Sequence, residues 1–120
     1  MLTLEEVLAD FAAYAGFPAR TNVRPNAVGP HGTTPLHWMS TLGDAPAIRL
    51  LVAAGATKDK QDDLGNTPLH EAVLNRQAGA AEALLHLGAS HEVANTDGLR
   101  PQEIAIRDGY APTKALFKVA

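Results

Sequence analysis

Apolar residues in this chain come in short blocks at helical spacing, each closed by a glycine. Leu4, Val7, Leu8, Phe11 and Ala15 form one stripe, with Thr3 and Glu6 as a capping box in front and Gly16 as a stop behind. They predict a helix within residues 1–17. An irregular connector follows from Phe17 to Asn26, carrying Pro18, Arg20, Arg24 and Pro25. Thr34 is then placed to cap a helix that opens at Pro35 and runs to Leu42 before Gly43. A second helix is expected over Pro46–Ala54, where Ile48, Leu51 and Val52 sit at i, i+3 and i+4, and Gly55 closes it. Neither helix is long enough to persist alone in water, so the two must pack on each other and on a neighbour.

The pair recurs. Gly32-Thr33-Thr34-Pro35-Leu36-His37 returns as Gly65-Asn66-Thr67-Pro68-Leu69-His70, and in altered form as Gly98-Leu99-Arg100-Pro101-Gln102-Glu103. The glycines and prolines of the three copies keep a step of 33 residues. Gly55 with Gly88, Ala56 with Ala89, and Leu51 with Leu84 and Phe117 hold the same register. Periodicity in this range marks a stacked-repeat protein.

The pattern resembles the ankyrin repeat, with its Thr-Pro-Leu-His start, two short antiparallel helices and Gly-Ala exit. The resemblance covers residues 29–120 and implies an all-α solenoid of helix-turn-helix units with short β-hairpin-like turns. The expected layout is a single domain, 1–120. Residues 1–26 are an N-terminal capping helix and connector, and the repeats are 27–58, 59–91 and 92–120. The resemblance also implies that His37 and His70 are structural, tying each helix start to an adjacent turn. Arg100, Gln102 and Glu103 replace those residues in the third unit, which puts that network in question there. Where the first two units carry Ile48 and Val52, or Ala81 and Leu85, the third carries Lys114 and Lys118. On one helix face these lysines predict a polar C-terminal cap and a complete protein of helix, three repeats and stop.

Composition narrows the function. The chain has no cysteine, which removes disulfides, thiolate nucleophiles and cysteine metal sites. A net charge of −3 and a pI near 5.9 argue against non-specific binding to nucleic acid or an anionic membrane. No apolar run is long enough to span a bilayer, and the N-terminus lacks a secretory signal pattern. A monomer located in the cytoplasm is the expectation.

Candidate chemistry is sparse. His31, His86 and His91 are the histidines outside the motif, and a metal-dependent hydrolase built on them is the remotest reading. The acidic run from Asp59 to Gly65 fails as a calcium loop: its sixth position is Leu64 and its twelfth is His70. Asp62 reads instead as a turn residue accepting from local amides. No phosphate-binding glycine loop or nucleophile elbow is present, so no catalytic residue, metal ligand or cofactor is assigned.

What remains is surface. The resemblance implies binding of another protein through a concave strip of projecting turns and first-helix positions. Transferred residue by residue, the strip holds Asp63, Leu64, Asn66, Asp97 and Leu99 in the turns. Leu42, Leu74, Asn75 and Arg107 stand at helix ends, and Trp38, Glu71 and Ile104 form a row one step inside. The leucines and Trp38 would give affinity, and Asp63, Glu71, Asp97 and Arg107 selectivity. Trp38 has a second reading as a ring packed beneath the N-terminal helix. The expected function is a non-catalytic protein–protein interaction module. The alternative is a dedicated inhibitor or immunity partner that blocks an enzyme, and a self-associating structural role is a further option.

Overall fold

A computed structural model describes residues 2–18 and 22–117. Among these the chain forms seven α-helices and no strand. They are α1 (Leu4–Ala15), α2 (Pro35–Leu42), α3 (Ala45–Ala53), α4 (Pro68–Leu74), α5 (Ala78–His86), α6 (Pro101–Asp108) and α7 (Ala111–Lys114). Helices α2 and α3, α4 and α5, and α6 and α7 pack as hairpins. The first helices of each pair stack as α2 on α4 on α6, and α3 packs on α5 behind them. The result is an elongated body of 47 × 31 × 20 Å. Alanines carry the close approach of the layers: Ala47, Ala72, Ala80, Ala81 and Ala105 are fully buried among Ile48, Leu51, Leu69, Val73 and Leu84.

Helix limits follow the local chemistry. Thr3 and Glu6 form the expected capping box on α1, and Gly16 closes it at φ +74°. Thr34 and Thr67 cap α2 and α4, each with proline in the first turn. The α3 helix starts one residue earlier than Pro46 and ends one before Ala54. Asp44 Oδ1 accepts from the Ala47 amide at 3.1 Å and is the cap that fixes this start. The third pair departs more. The α7 helix ends at Lys114 and a 3-10 turn carries Ala115–Phe117, so the described chain does not continue in the α-helical register that would align Lys114 with Lys118. Lys114 is exposed, and Leu116 and Phe117 pack inward as expected. Lys118, like Arg20 of the connector, lies outside the described residues.

The histidines of the repeated motif are the ties between layers. Each ring nitrogen Nδ1 of His37 and His70 faces the backbone N–H and hydroxyl of its capping threonine. The distances are 3.2 and 2.8 Å at Thr34, and 3.0 and 2.9 Å at Thr67. A nitrogen that accepts from an amide carries no proton, so the proton belongs on Nε2. There it donates at 2.8 Å to the Asn66 carbonyl from His37, and at 2.8 Å to the Leu99 carbonyl from His70. Both carbonyls belong to the turn of the following unit. Burial holds both imidazoles below the ordinary histidine range, against a smaller opposite pull from those carbonyls. In the third unit Arg100 and Glu103 replace this arrangement. Glu103 Oε1 accepts from the Arg100 amide at 3.1 Å and from its guanidinium at 2.8 Å.

The back of the stack is tied at a second level. Asn26 accepts from the Thr57 amide at 2.8 Å and donates to the Gly55 carbonyl at 3.1 Å. One repeat on, Asp59 accepts from the Ser90 amide at 2.9 Å, and Lys58 Nζ donates to the Leu87 carbonyl at 2.9 Å.

Candidate functional site

The projecting turns are hairpin-like and stacked edge to edge. Within them Asp62 N–H donates to the Asn66 carbonyl and Asn95 N–H to the Leu99 carbonyl, both at 2.9 Å. Between them Asp63 N–H donates to the His31 carbonyl and Thr96 N–H to the Leu64 carbonyl, both at 3.0 Å. Asp62 accepts from the Leu64 and Asn66 amides at 2.9 Å each, the turn role expected of it. Glycine is required where turns touch. A Cβ on Gly65, at φ +76°, would lie 2.8 Å from the Thr96 amide nitrogen.

Between the second and third turns and the ends of α4 and α6 lies a cleft of about 600 Å³. Leu64, Leu74 and Leu99 wall it, and Ile104 closes its floor. Leu64 is 64% exposed and Leu74 49%, so the apolar surface is contiguous and open to solvent. Asn66, Asp97 and Arg107 of the strip also line the cleft. Asn66 is almost fully buried there. The remaining strip residues lie outside it. Trp38 stacks on Tyr14 of α1, with ring centroids 3.8 Å apart and planes within 8°. The indole is thus packed against the N-terminal helix and its Nε1 is buried without a hydrogen-bond partner among the described residues. Leu42 is exposed at the end of α2, Asp63 at a turn, and Asn75 at the end of α4, where its side chain donates to the Glu71 carbonyl at 2.7 Å.

Glu71 is half-buried and accepts from the Thr41 hydroxyl at 3.3 Å. Burial pushes its carboxyl above the ordinary range, and the nearby Asp62 carboxylate adds to the push. Arg76 holds Asp108, a residue at the helix end of the cleft. It sits at φ +56°, donates to Asp108 at 2.8 and 3.1 Å, and lies over the Tyr110 ring. Asn95, Thr96 and Asp108 also line the cleft, although Asn95 carries no surface signal in the sequence.

The other histidines do not form a centre. His31 sits in a turn, and His91 contacts Gln102 and, at 3.1 Å, Glu92. Among the described residues no group of three or more histidine or carboxylate side chains is placed to hold a metal ion. No helix among them is long and apolar enough to cross a membrane.

Comparison with known proteins agrees with this architecture. A family profile described as "Ankyrin repeats (3 copies)" matches residues 10–111. Protein phosphatase 1 regulatory subunit 27 of Mus musculus is 32% identical over 109 residues, covering 91% of this chain and 70% of that protein. The Homo sapiens protein of the same name is 34% identical over 91 residues, covering 76% of this chain and 58% of its own length. The Neurogenic locus Notch protein of Drosophila melanogaster is 38% identical over 77 residues, which is 63% of this chain and 3% of that protein. The 33-residue stack, its histidine ties and the profile match agree: the chain belongs to the ankyrin-repeat family and is a protein-interaction module.

Proposed function

We propose that the chain binds its partner protein through the inner surface formed by the turns and the first helix of each pair, with the centre of the contact at the Leu64–Leu74–Leu99 cleft. The observation that carries this is the contiguity of leucines that stand 64% and 49% exposed around one open cavity. Apolar side chains gathered in that way are a poor use of free surface and a good use of an interface. The role is non-catalytic and the free protein a monomer. One body serves it, with α1 capping three repeats that begin near residues 27, 59 and 92. Leu42 and Asp63 extend the contact toward the first repeat, with Glu71 and Asn75 beside the cleft. Trp38 contributes through the face of its stack on Tyr14.

Affinity capture from the source cell with wild type and with Leu64→Ser/Leu74→Ser/Leu99→Ser tests the reading. Proteins retained by wild type and lost by the variant, with helical content preserved, support it. Equal capture by both moves the contact to the outer helices or to α1. The phosphatase regulatory relatives favour one further reading, that the bound partner is an enzyme whose activity changes on binding. Assay of a captured enzyme with and without added protein decides it: unchanged turnover refutes regulation while leaving binding intact.

A further inference from the structure

One polar group inside the cleft is left over, and its identity follows from the hydrogen bonds around it. Asn95 Oδ1 accepts from the amides of Asp97 and Leu99, both at 3.0 Å. An atom that accepts two backbone N–H groups is the oxygen, so the other end of Asn95 is its NH₂. That NH₂ donates at 3.0 Å to Asn66 Oδ1. Asn66 therefore turns its oxygen to Asn95, and its own NH₂ has no partner among the described residues. The side chain is 6% exposed and lines the cleft. The NH₂ is not sealed from solvent, so it faces the open cleft as a donor available to whatever fills the cavity.

The rim is charged in a defined order. On the turn side Asp97 makes no side-chain hydrogen bond or ion pair among the described residues, and neither does Asp63 of the neighbouring turn. On the helix side Asp108 is neutralised by Arg76 at 2.8 Å, which leaves Arg107 as the charge without a partner among the described residues. The walls between are leucine. The volume, about 600 Å³, lies in the range of about 300–1,000 Å³ usual for ligand clefts, and exceeds what one side chain fills.

The geometry points to an extended segment of the partner protein as the occupant. It places an apolar side chain among Leu64, Leu74 and Leu99, its backbone carbonyl accepts from Asn66 Nδ2, and it carries a lysine or arginine toward Asp97 and a carboxylate toward Arg107. The inference rests on the inner surface being the binding face and adds the chemistry of what binds there. Charge complementarity selects the order of the occupant's residues, basic then apolar then acidic, from the turn side to the helix side. The Asn66 NH₂ facing the cleft selects a peptide carbonyl over a purely hydrocarbon ligand.

Selection of a displayed library of random short peptides against the full-length chain tests this, followed by calorimetry and ¹⁵N NMR with the enriched peptides. The expected result is an enriched apolar residue flanked by a basic and an acidic one, with shifts at the Asn66 side-chain NH₂ and at the Leu64 and Leu99 amides. Asn66→Asp keeps the oxygen that Asn95 needs and removes the donor, and should weaken binding about tenfold. Leu64→Ser, at an exposed position, should weaken it by a similar factor without altering the melt, and Asp97→Lys should reverse the preference for a basic flank. Peptides without that pattern, a library with no enrichment, or shifts centred on Trp38 and Leu42 would overturn the occupant proposed. The last result would leave the inner surface as the binding face. Shifts confined to α3 and α5 would overturn both.

Discussion

Acidification should destabilise this protein through the two motif histidines, at a pH above that at which most carboxylates titrate. Protonating His37 or His70 places a proton on Nδ1 against the N–H of Thr34 or Thr67, at 3.2 and 3.0 Å, so the charged ring is excluded from the fold. Burial holds both pKa values below the ordinary 6.5, whereas the unfolded chain titrates there. Between the two values the unfolded state binds more protons, and stability falls as pH falls. A ring that stayed neutral in the fold throughout would lose about 1 kcal/mol between about pH 6.5 and 5.5, so the pair loses at most about 2 kcal/mol. Against a total of about 5–15 kcal/mol, that lowers Tm by at most about 5–10 °C for a chain of this size. Glu71 works in the other direction. Its carboxyl titrates above 4.5 in the fold, so below that folded pKa, down toward 4.5, falling pH relieves a penalty. Glu71→Gln should therefore raise stability at neutral pH and steepen the acid loss. Thermal melts across that interval, with ¹⁵N spectra of the imidazoles to read the Nε2–H tautomer, are the assay. A Tm that is flat or rises from about pH 7 to 5.5 refutes the reasoning, as does an Nδ1–H tautomer at either ring.

Gly65→Ala and Gly98→Ala share nearly the same φ, +76°, but only the first brings a Cβ against a neighbouring turn. Both should lose about 1 kcal/mol from the backbone, and Gly65→Ala about 1–3 kcal/mol more, so equal urea midpoints would refute the turn contact. Arg76→Ala keeps the positive φ and loses the Asp108 pair, whereas Arg76→Gly loses the pair but relieves the strain; the alanine variant should be the less stable by chemical denaturation. Trp38 is the sole tryptophan and stacks on Tyr14, so Tyr14→Ala should shift its fluorescence to the red and cost about 0.5–1.5 kcal/mol; an unchanged spectrum would place α1 elsewhere. Gln77 donates to the Thr41 carbonyl at 3.1 Å across two pairs, and Gln77→Ala should cost about 1 kcal/mol in the same melts.

The fold was legible because its signals are local. Thr34-Pro35 and Thr67-Pro68 open helices by satisfying their own first turns, and Gly16 and Gly43 close theirs at positive φ. The start of α3 was misread by one residue because Asp44 follows Gly43 directly and works as a cap rather than as part of a loop. The candidate cleft was legible only where a residue's exposure follows from its place in the repeat, as for Leu64 and Leu74. Asn66 is placed on the strip by its repeat position, but its pairing with Asn95 escapes a sequence reading, because the two meet across 29 residues and nothing in either turn's own sequence says which end of an amide faces inward. Trp38 stayed undecided for a similar reason: whether it meets solvent or Tyr14 depends on the angle at which α1 docks, which the stripe on α1 does not specify.

The ties from His37 to Asn66 and from His70 to Leu99 all run one way, from an earlier pair into the loop of the next. Each tie couples both its layers, and the bonds from Asp63 to His31 and from Thr96 to Leu64 join the same turns from the other side, so fraying spreads from the most weakly braced end. Native-state hydrogen exchange should rank the three pairs accordingly, with amides of α6 opening first, since Arg100 and Glu103 brace only each other and Glu92. The third pair is the weaker end, and the cleft lies at its joint with the second, where an arriving ligand would act as a splint.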